Sequence, residues 1–411
     1  MPAAPALPAR AWLTVGLLWG AACLNYVDRL MITTMRGSVI EAIPMSDAQF
    51  GLLTTVFLIV YAILSPFAGF FADRFNRSRV IVGSLFIWSL VTWLTAYART
   101  YEELLLTRAL MGISEAACMP ASVALIVDYH RGSTRSLASG LLLSGAMTGA
   151  ALGGLGGWLA ERHDWAYAFK LFGFIGIAYA ILMLLLLRDP APAGDTPAAA
   201  APAVPPVKFT EALRHLFTNG SYLVMLAFAI LLGMVSWAVV GWMPTYIKET
   251  FALTQGTAGL STTVYLNVAA LFGMLLGGSW ADRWSRTNPR ARMLVPVIGL
   301  AIAGPAILLI AYGGVLWLAL TGLVLYGLTR HFADANQMPI LCLVTDARYR
   351  ATSWGIMTFF SCVVGGAGIY VGGVLRDAKV DISNVFLFAA INVLVCSGLI
   401  YSLRPRPQPA A

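Results

Sequence analysis

Charge is what this sequence has least of: only 11% of its 411 residues are Asp, Glu, Lys or Arg, against about 25% in soluble globular proteins. With 59% hydrophobic residues, such a chain cannot clothe a water-facing surface, which excludes the two or three soluble domains that its length alone suggests. A Walker loop, a dinucleotide glycine motif, zinc-ligand spacing and a nucleophile elbow are all missing. The reading is therefore not an enzyme, with no cofactor and no metal, and ATP-driven pumping is excluded. Cysteine is sparse too. Cys23, Cys118, Cys342, Cys362 and Cys396 all lie in apolar stretches without metal-type or paired spacing, so they read as reduced packing residues. The formal charge of +8 comes from Lys and Arg in short hydrophilic gaps. No continuous basic face forms, so nucleic acid is not an expected partner. The first ten residues carry one basic residue and lead into a run too long for a signal-peptide core, so no cleavage is expected.

What is abundant is apolar runs of about 20 residues, the length that crosses a bilayer as a helix. Twelve can be placed, at 12–34, 50–72, 79–98, 102–128, 136–160, 166–187, 220–246, 257–281, 292–312, 315–345, 351–374 and 382–403. The fold class this predicts is an all-α membrane protein. One long polar interval separates the sixth run from the seventh, and its Ala/Pro-rich part has linker composition. The expected organisation is a six-helix bundle over 1–188, a cytoplasmic linker over 189–215 and a second six-helix bundle over 216–411. If the N-terminus is inside, seventeen of the 27 Lys and Arg lie on the cytoplasmic side and seven opposite; Arg29, Arg108 and Arg330 fall within spans. This excess puts both termini in the cytoplasm.

The two halves repeat. Gly69, Ala72, Asp73, Arg74 and Arg77 after the second span recur 209 residues later as Gly278, Ala281, Asp282, Arg283 and Arg286 after the eighth. Met119-Pro120, Asp128, Arg131 and Arg135 after the fourth span match Met338-Pro339, Asp346, Arg348 and Arg350 after the tenth, with small gaps. Related six-helix halves are how many transporters build a pathway, with cargo held near the bilayer midplane.

The loop from Gly69 to Arg79 resembles the signature loop of the major facilitator superfamily, with Asn76 where a glycine is usual. Asn tolerates the left-handed backbone that such a position can need. Asn25-Tyr26-Val27-Asp28-Arg29 in the first span and Arg108 to Ala116 in the fourth are similar to patterns shared by its anion:cation symporters and Spinster-like transporters. The resemblance implies twelve transmembrane helices in two pseudo-symmetric bundles, with the first, fourth and tenth lining a central cavity.

Five or more residues from the span ends, six charged residues lie within spans, namely Asp28, Arg29, Arg108, Glu115, Arg330 and Asp334, and they occupy those three helices alone. Each costs about 2.5–3.5 kcal/mol in hydrocarbon. Asp28 and Arg29 are adjacent and cannot satisfy each other along one helix, whereas Arg108 and Glu115, seven apart, share a face with Gly112 between them. Rises along the helices put Arg29 and Arg108 at similar depth, with Glu115 about two turns deeper. Two readings stay open. The charges are structural ion pairs; or an acid shielded from water carries a proton while an arginine holds an anion. On the second reading, which the resemblance also implies, Asp28 and Glu115 couple protons, and Arg29 and Arg108, with Asn25 and Tyr26 of the shared motif, bind substrate.

In the tenth span, Arg330 and Asp334 stand at i and i+4, which suits an intrahelical pair. His331, Asn336 and Gln337 are the alternative, offering hydrogen bonds to a substrate, and His331 could relay protons. The repeated loops, with Asp73, Arg74, Arg77, Asp282, Arg283 and Arg286, read as a cytoplasmic gate. Gly145, Gly149, Gly153 and Gly157, echoed by Gly365, Gly368, Gly372 and Gly373, leave helix faces bare for close packing. Trp12, Tyr101 and Tyr246 read as interface anchors.

Together these point to a proton-coupled symporter of organic anions, small carboxylates such as sugar acids, working by alternating access. It is expected as a monomer in a bacterial inner membrane, with the bilayer, protons and the anion as partners. A Spinster-like transporter of amphipathic lipids or lysolipids, and a transporter-like sensor that moves nothing, are the competing readings.

Overall fold

A computed structural model describes residues 9–130, 134–190 and 209–403. Over these the chain is helical almost throughout. In the first half run α1 (Ala9–Thr34), the short α2 (Arg36–Ala42), α3 (Asp47–Arg74), α4 (Arg77–Thr95), α5 (Tyr101–Glu115), α6 (Cys118–Tyr129), α7 (Arg135–Leu152), α8 (Leu155–Arg162) and α9 (Trp165–Leu186). In the second run the short α10 (Phe209–Phe217), α11 (Gly220–Thr250), α12 (Gln255–Trp284), α13 (Ala291–Tyr312), α14 (Leu316–Val344), α15 (Arg350–Asp377) and α16 (Ile382–Ser402). Twelve crossings result, with α5–α6 and α7–α8 each making one.

Eleven of the twelve are long and apolar enough to cross a membrane among the described residues. The exception is α14, because its polar stretch from Arg330 to Gln337 dilutes its hydropathy. The fourth and fifth spans differ from their sequence reading as single helices. Pro120 cannot donate to the carbonyl of Ala116 and its ring crowds it, so the helix turns at Ala116–Ala117 and restarts as α6. Gly153 and Gly154 make the corresponding turn between α7 and α8. Helix starts follow their caps. Thr100 and Glu103 form a reciprocal capping box at α5, and Asp381 accepts from Ser383 N at 2.8 Å at α16, which holds its carboxyl below the ordinary aspartate range.

The described chain divides into two compact units. One holds residues 9–45, 56–130, 134–190 and 253–264; the other holds 46–55, 209–252 and 265–403. In the first, α1 packs on α7, and α4 on α9 and α5. In the second, α11 packs on α15, and α13 on α16 and α14. Numbered as spans within each half, these are the same three pairings, so the repeat read from two loops extends to the packing.

Each unit also takes in the first turns of one helix from the other half of the sequence. In the first unit, Glu161 accepts the α12 N–H of Gly256 at 2.8 Å, and Gln255 bridges to Ser38. In the second, Asp377 accepts the N–H groups of Asp47 and Ala48 at the start of α3, at 2.8 and 2.9 Å. Free N–H groups at a helix start favour carboxylates for their partial positive charge.

Glycines set the closest approaches. A Cβ on Gly145 of α7 would lie 2.5 Å from the Trp19 carbonyl oxygen of α1, and one on Gly149 would meet that of Cys23. In the eleventh span, a Cβ on Gly372 would lie 2.6 Å from Trp242 Nε1. The bare faces serve packing, as expected. Of the five cysteines, Cys23, Cys118, Cys362 and Cys396 are buried and Cys342 is half-buried. Tyr246 is a correction: it is no interface anchor but is buried, its hydroxyl donating to the Ala311 carbonyl at 2.8 Å. A buried hydroxyl in hydrocarbon needs a partner, and the backbone of α13 supplies it.

Gly149→Val is expected to abolish monodisperse protein in detergent, because no rotamer relieves a clash with backbone. Gly140→Ala on the same helix, where a Cβ meets nothing within 4 Å, is expected to leave expression and elution unchanged. Size-exclusion chromatography of the two variants checks this.

Candidate functional site

On α1, Asn25, Asp28 and Arg29 sit one turn apart or adjacent, at i, i+3 and i+4. All three are buried, as are Arg108 and Glu115 of α5. Arg29 Nη2 donates to Glu115 Oε2 at 2.9 Å, and also to Asn25 Oδ1 at 3.2 Å. The exposures of the paired side chains are 5% and 0%. Glu115 is the last residue of α5, where the helix dipole is negative and a carboxylate gains nothing from it. Arg29 supplies the missing compensation.

Aromatic faces complete the setting. The Arg29 guanidinium stands 4.8, 4.9 and 4.8 Å from the ring centres of Tyr26, Phe57 and Tyr61, close enough for cation–π attraction. Phe57 and Tyr61 arrive on α3, which can approach because Gly112 of α5 has no side chain. A Cβ there would lie 2.8 Å from the Phe57 carbonyl oxygen. Arg108 has Phe169 of α9 over it at 5.3 Å.

Asp28 points to a different side of α1, as its adjacency to Arg29 requires. Neither carboxyl oxygen has a hydrogen-bond partner among the described residues. Arg108 and Glu115 act on it electrostatically, and the Trp88 and Thr92 side chains of α4 lie near it without a hydrogen bond to it. Four ionisable groups, two acids and two arginines, thus share one buried cluster of the first unit. The pairing differs from the depths expected along the helices, which set Arg108 beside Arg29. Arg29 instead meets Glu115.

The tenth-span residues are held locally in the second unit. Arg330 Nη1 pairs with Asp334 at 2.6 Å, the intrahelical arrangement their spacing suggested. His331 Nδ1 lies 2.6 Å from the Gly327 carbonyl and Nε2 lies 3.0 Å from Arg330 Nη1. A carbonyl accepts and a guanidinium donates, which assigns the neutral tautomer with its proton on Nδ1. Asn336 Nδ2 donates to the Phe332 carbonyl at 2.9 Å and to that of Gly277 on α12 at 3.3 Å. Gln337 is half-buried.

Of the loop residues, the side chain of Asp73 lies outside the described residues. Arg74, Arg283 and Arg286 are exposed. Arg77 pairs with Asp128 at the end of α6, and Asp282 with Arg292 at the start of α13 at 2.9 Å. Asn76 does not use the left-handed backbone that its place in the motif suggested. Its φ is −58°, and its side chain caps α4 by accepting from Arg79 N at 3.0 Å.

A family model of the Major Facilitator Superfamily matches residues 18–369. The chain belongs to this superfamily of membrane transporters. It is 28% identical over 385 residues to an MFS-type efflux pump of Mycolicibacterium smegmatis, covering 91% of this chain and 86% of that one. It is 26% identical over 372 residues to protein spinster homolog 1 of Xenopus tropicalis, covering 86% and 70%. A crystal structure of a bacterial homolog of the human lysosomal transporter Spinster, inward-facing and unoccupied, superposes with a TM-score of 0.78 at 22% identity, over 98% of this chain and 100% of that one. The likeness establishes the twelve-helix fold of an integral membrane protein.

Removing one member of the buried pair strands the other. Glu115→Ala and Arg29→Ala are each expected to lower stability by about 3–5 kcal/mol, and Arg29→Met with Glu115→Leu to recover most of it. Unfolding of the purified variants in detergent checks this; losses below about 1 kcal/mol, the scale of an exposed pair, would contradict the burial described.

Proposed function

We propose that the chain is a proton-coupled symporter of organic anions, small carboxylates such as sugar acids, working by alternating access. The observation that supports this is the balance of the buried cluster. Asp28 and Glu115 offset Arg29 and Arg108, so the cluster is neutral when both acids are ionised. A proton on Glu115 ends its ionic hold on Arg29 and leaves one uncompensated positive charge in a poorly solvated site, which is costly. A monovalent anion that takes the place of Glu115 at the guanidinium restores neutrality. Proton and cargo therefore favour each other's binding, which is the thermodynamic content of symport.

Arg29 is 6% exposed and its neighbours Tyr26 and Tyr61 are half-buried, so cargo reaches the cluster at this end. Asn25 steadies the guanidinium for it. Arg108 attracts both acids electrostatically, and Asp28, fully buried, shares the single coupling proton with Glu115. On α14, Gln337 is assigned to the polar body of the cargo, with His331 and Asn336 held to backbone carbonyls as its positioning neighbours. The loops carrying Asp73, Arg74, Arg77, Asp282, Arg283 and Arg286 are assigned to gating, where a bias of about 1–2 kcal/mol between two conformations suffices. The compartment is a bacterial inner membrane, with both termini cytoplasmic and the chain acting as a monomer.

Likeness to Spinster homologues favours a second reading, in which an amphipathic lipid or lysolipid is carried and the aromatic collar of Tyr26, Phe57 and Tyr61 receives its headgroup region. Purified protein in liposomes under an inward proton gradient, offered sugar acids or a lysophospholipid, separates the readings. Carboxylate accumulation is expected, reduced at least about tenfold, or 1.4 kcal/mol, in both Asp28→Asn and Glu115→Gln. Full accumulation in both variants would reject the proton role. Lysolipid movement without carboxylate uptake selects the second reading, and no counterflow of either selects a sensor.

A further inference from the structure

The polar cluster extends past its charged members onto α4. On the Asp28 side, both Asp28 oxygens, Trp88 Nε1, Thr92 Oγ1, and Arg108 Nε and Nη2 are buried without a hydrogen-bond partner among the described residues. The four residues are between 0% and 1% exposed. The donors come from α4 and α5, and the acceptor from α1, so the set is complementary across three helices.

Two features of α4 set Trp88 and Thr92 apart from ordinary core residues. Being four apart, they share one helix face, whereas Ser89 on the adjacent face meets Gly176 of α9. The body of Trp88 is packed in the apolar core with Leu18 and Leu85, leaving its N–H as a polar handle. A threonine inside a membrane helix commonly satisfies its hydroxyl on the carbonyl one turn earlier. Thr95 of the same helix does so, donating to Val91 at 2.8 Å; Thr92 does not. Its hydroxyl stands beside Asp28 instead.

The geometry assigns Trp88 and Thr92 as positioning residues for Asp28: a donor pair that, with Arg108, receives the carboxylate once its proton has left, directly or through one bridging water. The Asp28 O–H bond breaks, its electron pair stays on the carboxyl oxygen, and the proton leaves to water. The charged groups around Asp28 are Arg108 and Glu115 of α5 and Arg29 of its own helix, with Cys118 of α6 next to Glu115; α4 faces it with the uncharged Trp88 and Thr92. This assignment rests on the proposed reading of Asp28 as a proton site.

Infrared difference spectra of the full chain in nanodiscs, titrated with pH, test it. The carboxyl band of Asp28 is identified by its loss in Asp28→Asn. Thr92→Val and Trp88→Phe each remove a donor that favours the ionised form, so each should move the band's midpoint to higher pH by about half a unit to one unit. Thr92→Ser, which keeps the hydroxyl, should restore the wild-type midpoint. If Trp88→Phe does not fold, the near-isosteric Thr92→Val decides alone. Midpoints in Thr92→Val and Trp88→Phe that coincide with wild type, with the Asp28 band present, overturn the assignment and leave the proton reading intact. Absence of any band dependent on Asp28 overturns both.

Discussion

A charge inside hydrocarbon must be met by another charge or by oriented dipoles, and the first unit is organised around that requirement. Arg29 needs Glu115, and Glu115, placed at the unfavourable end of α5, needs Arg29. The backbone details nearby serve the same contact. Pro120 ends α5 just after Glu115, and Gly112 lets α3 bring Phe57 and Tyr61 over the guanidinium. Even the packing of α1 on α7, through Gly145 and Gly149, fixes the helix that carries Asp28 and Arg29.

The two units share a scaffold but not a chemistry. Their main helix pairings coincide, yet the first encloses two arginines and two acids, while the charges of α14 in the second close on themselves as the Arg330–Asp334 pair. His331 lies between a carbonyl and a guanidinium. Duplication therefore left one half with charges that call for a partner helix and the other with charges satisfied within a single turn. A proton or an anion perturbs the first arrangement far more than the second.

Much of this was legible in the sequence. Twelve apolar runs and a repeat of 209 residues define the helices and their order, because hydrophobic length and the cost of buried charge are local properties of the chain. Confinement of charges to three spans likewise marks Asp28, Arg29, Arg108 and Glu115. Partner choice was not legible: that Arg29 meets Glu115 depends on how α1 and α5 lie against each other in three dimensions, which spacing along one helix does not encode. Trp88 and Thr92 escaped a search for charges because they carry none. Their signal, two hydrogen-bond donors one turn apart in an apolar run, becomes distinctive only once Thr95 is seen bonded to its own backbone and Thr92 is not. Tyr246 shows the converse, since a tyrosine near a span end looks the same in sequence whether it faces lipid or a neighbouring helix.

The proposed coupling, through a cluster that is neutral before and after loading, makes a definite electrical claim. Currents recorded from liposomes on a solid-supported membrane, during uptake of a monovalent carboxylate driven by a proton gradient, address it directly. One proton entering with each monovalent anion moves no net charge, so the account predicts no transport current at a substrate concentration that saturates uptake. A sustained current that scales with uptake would contradict it.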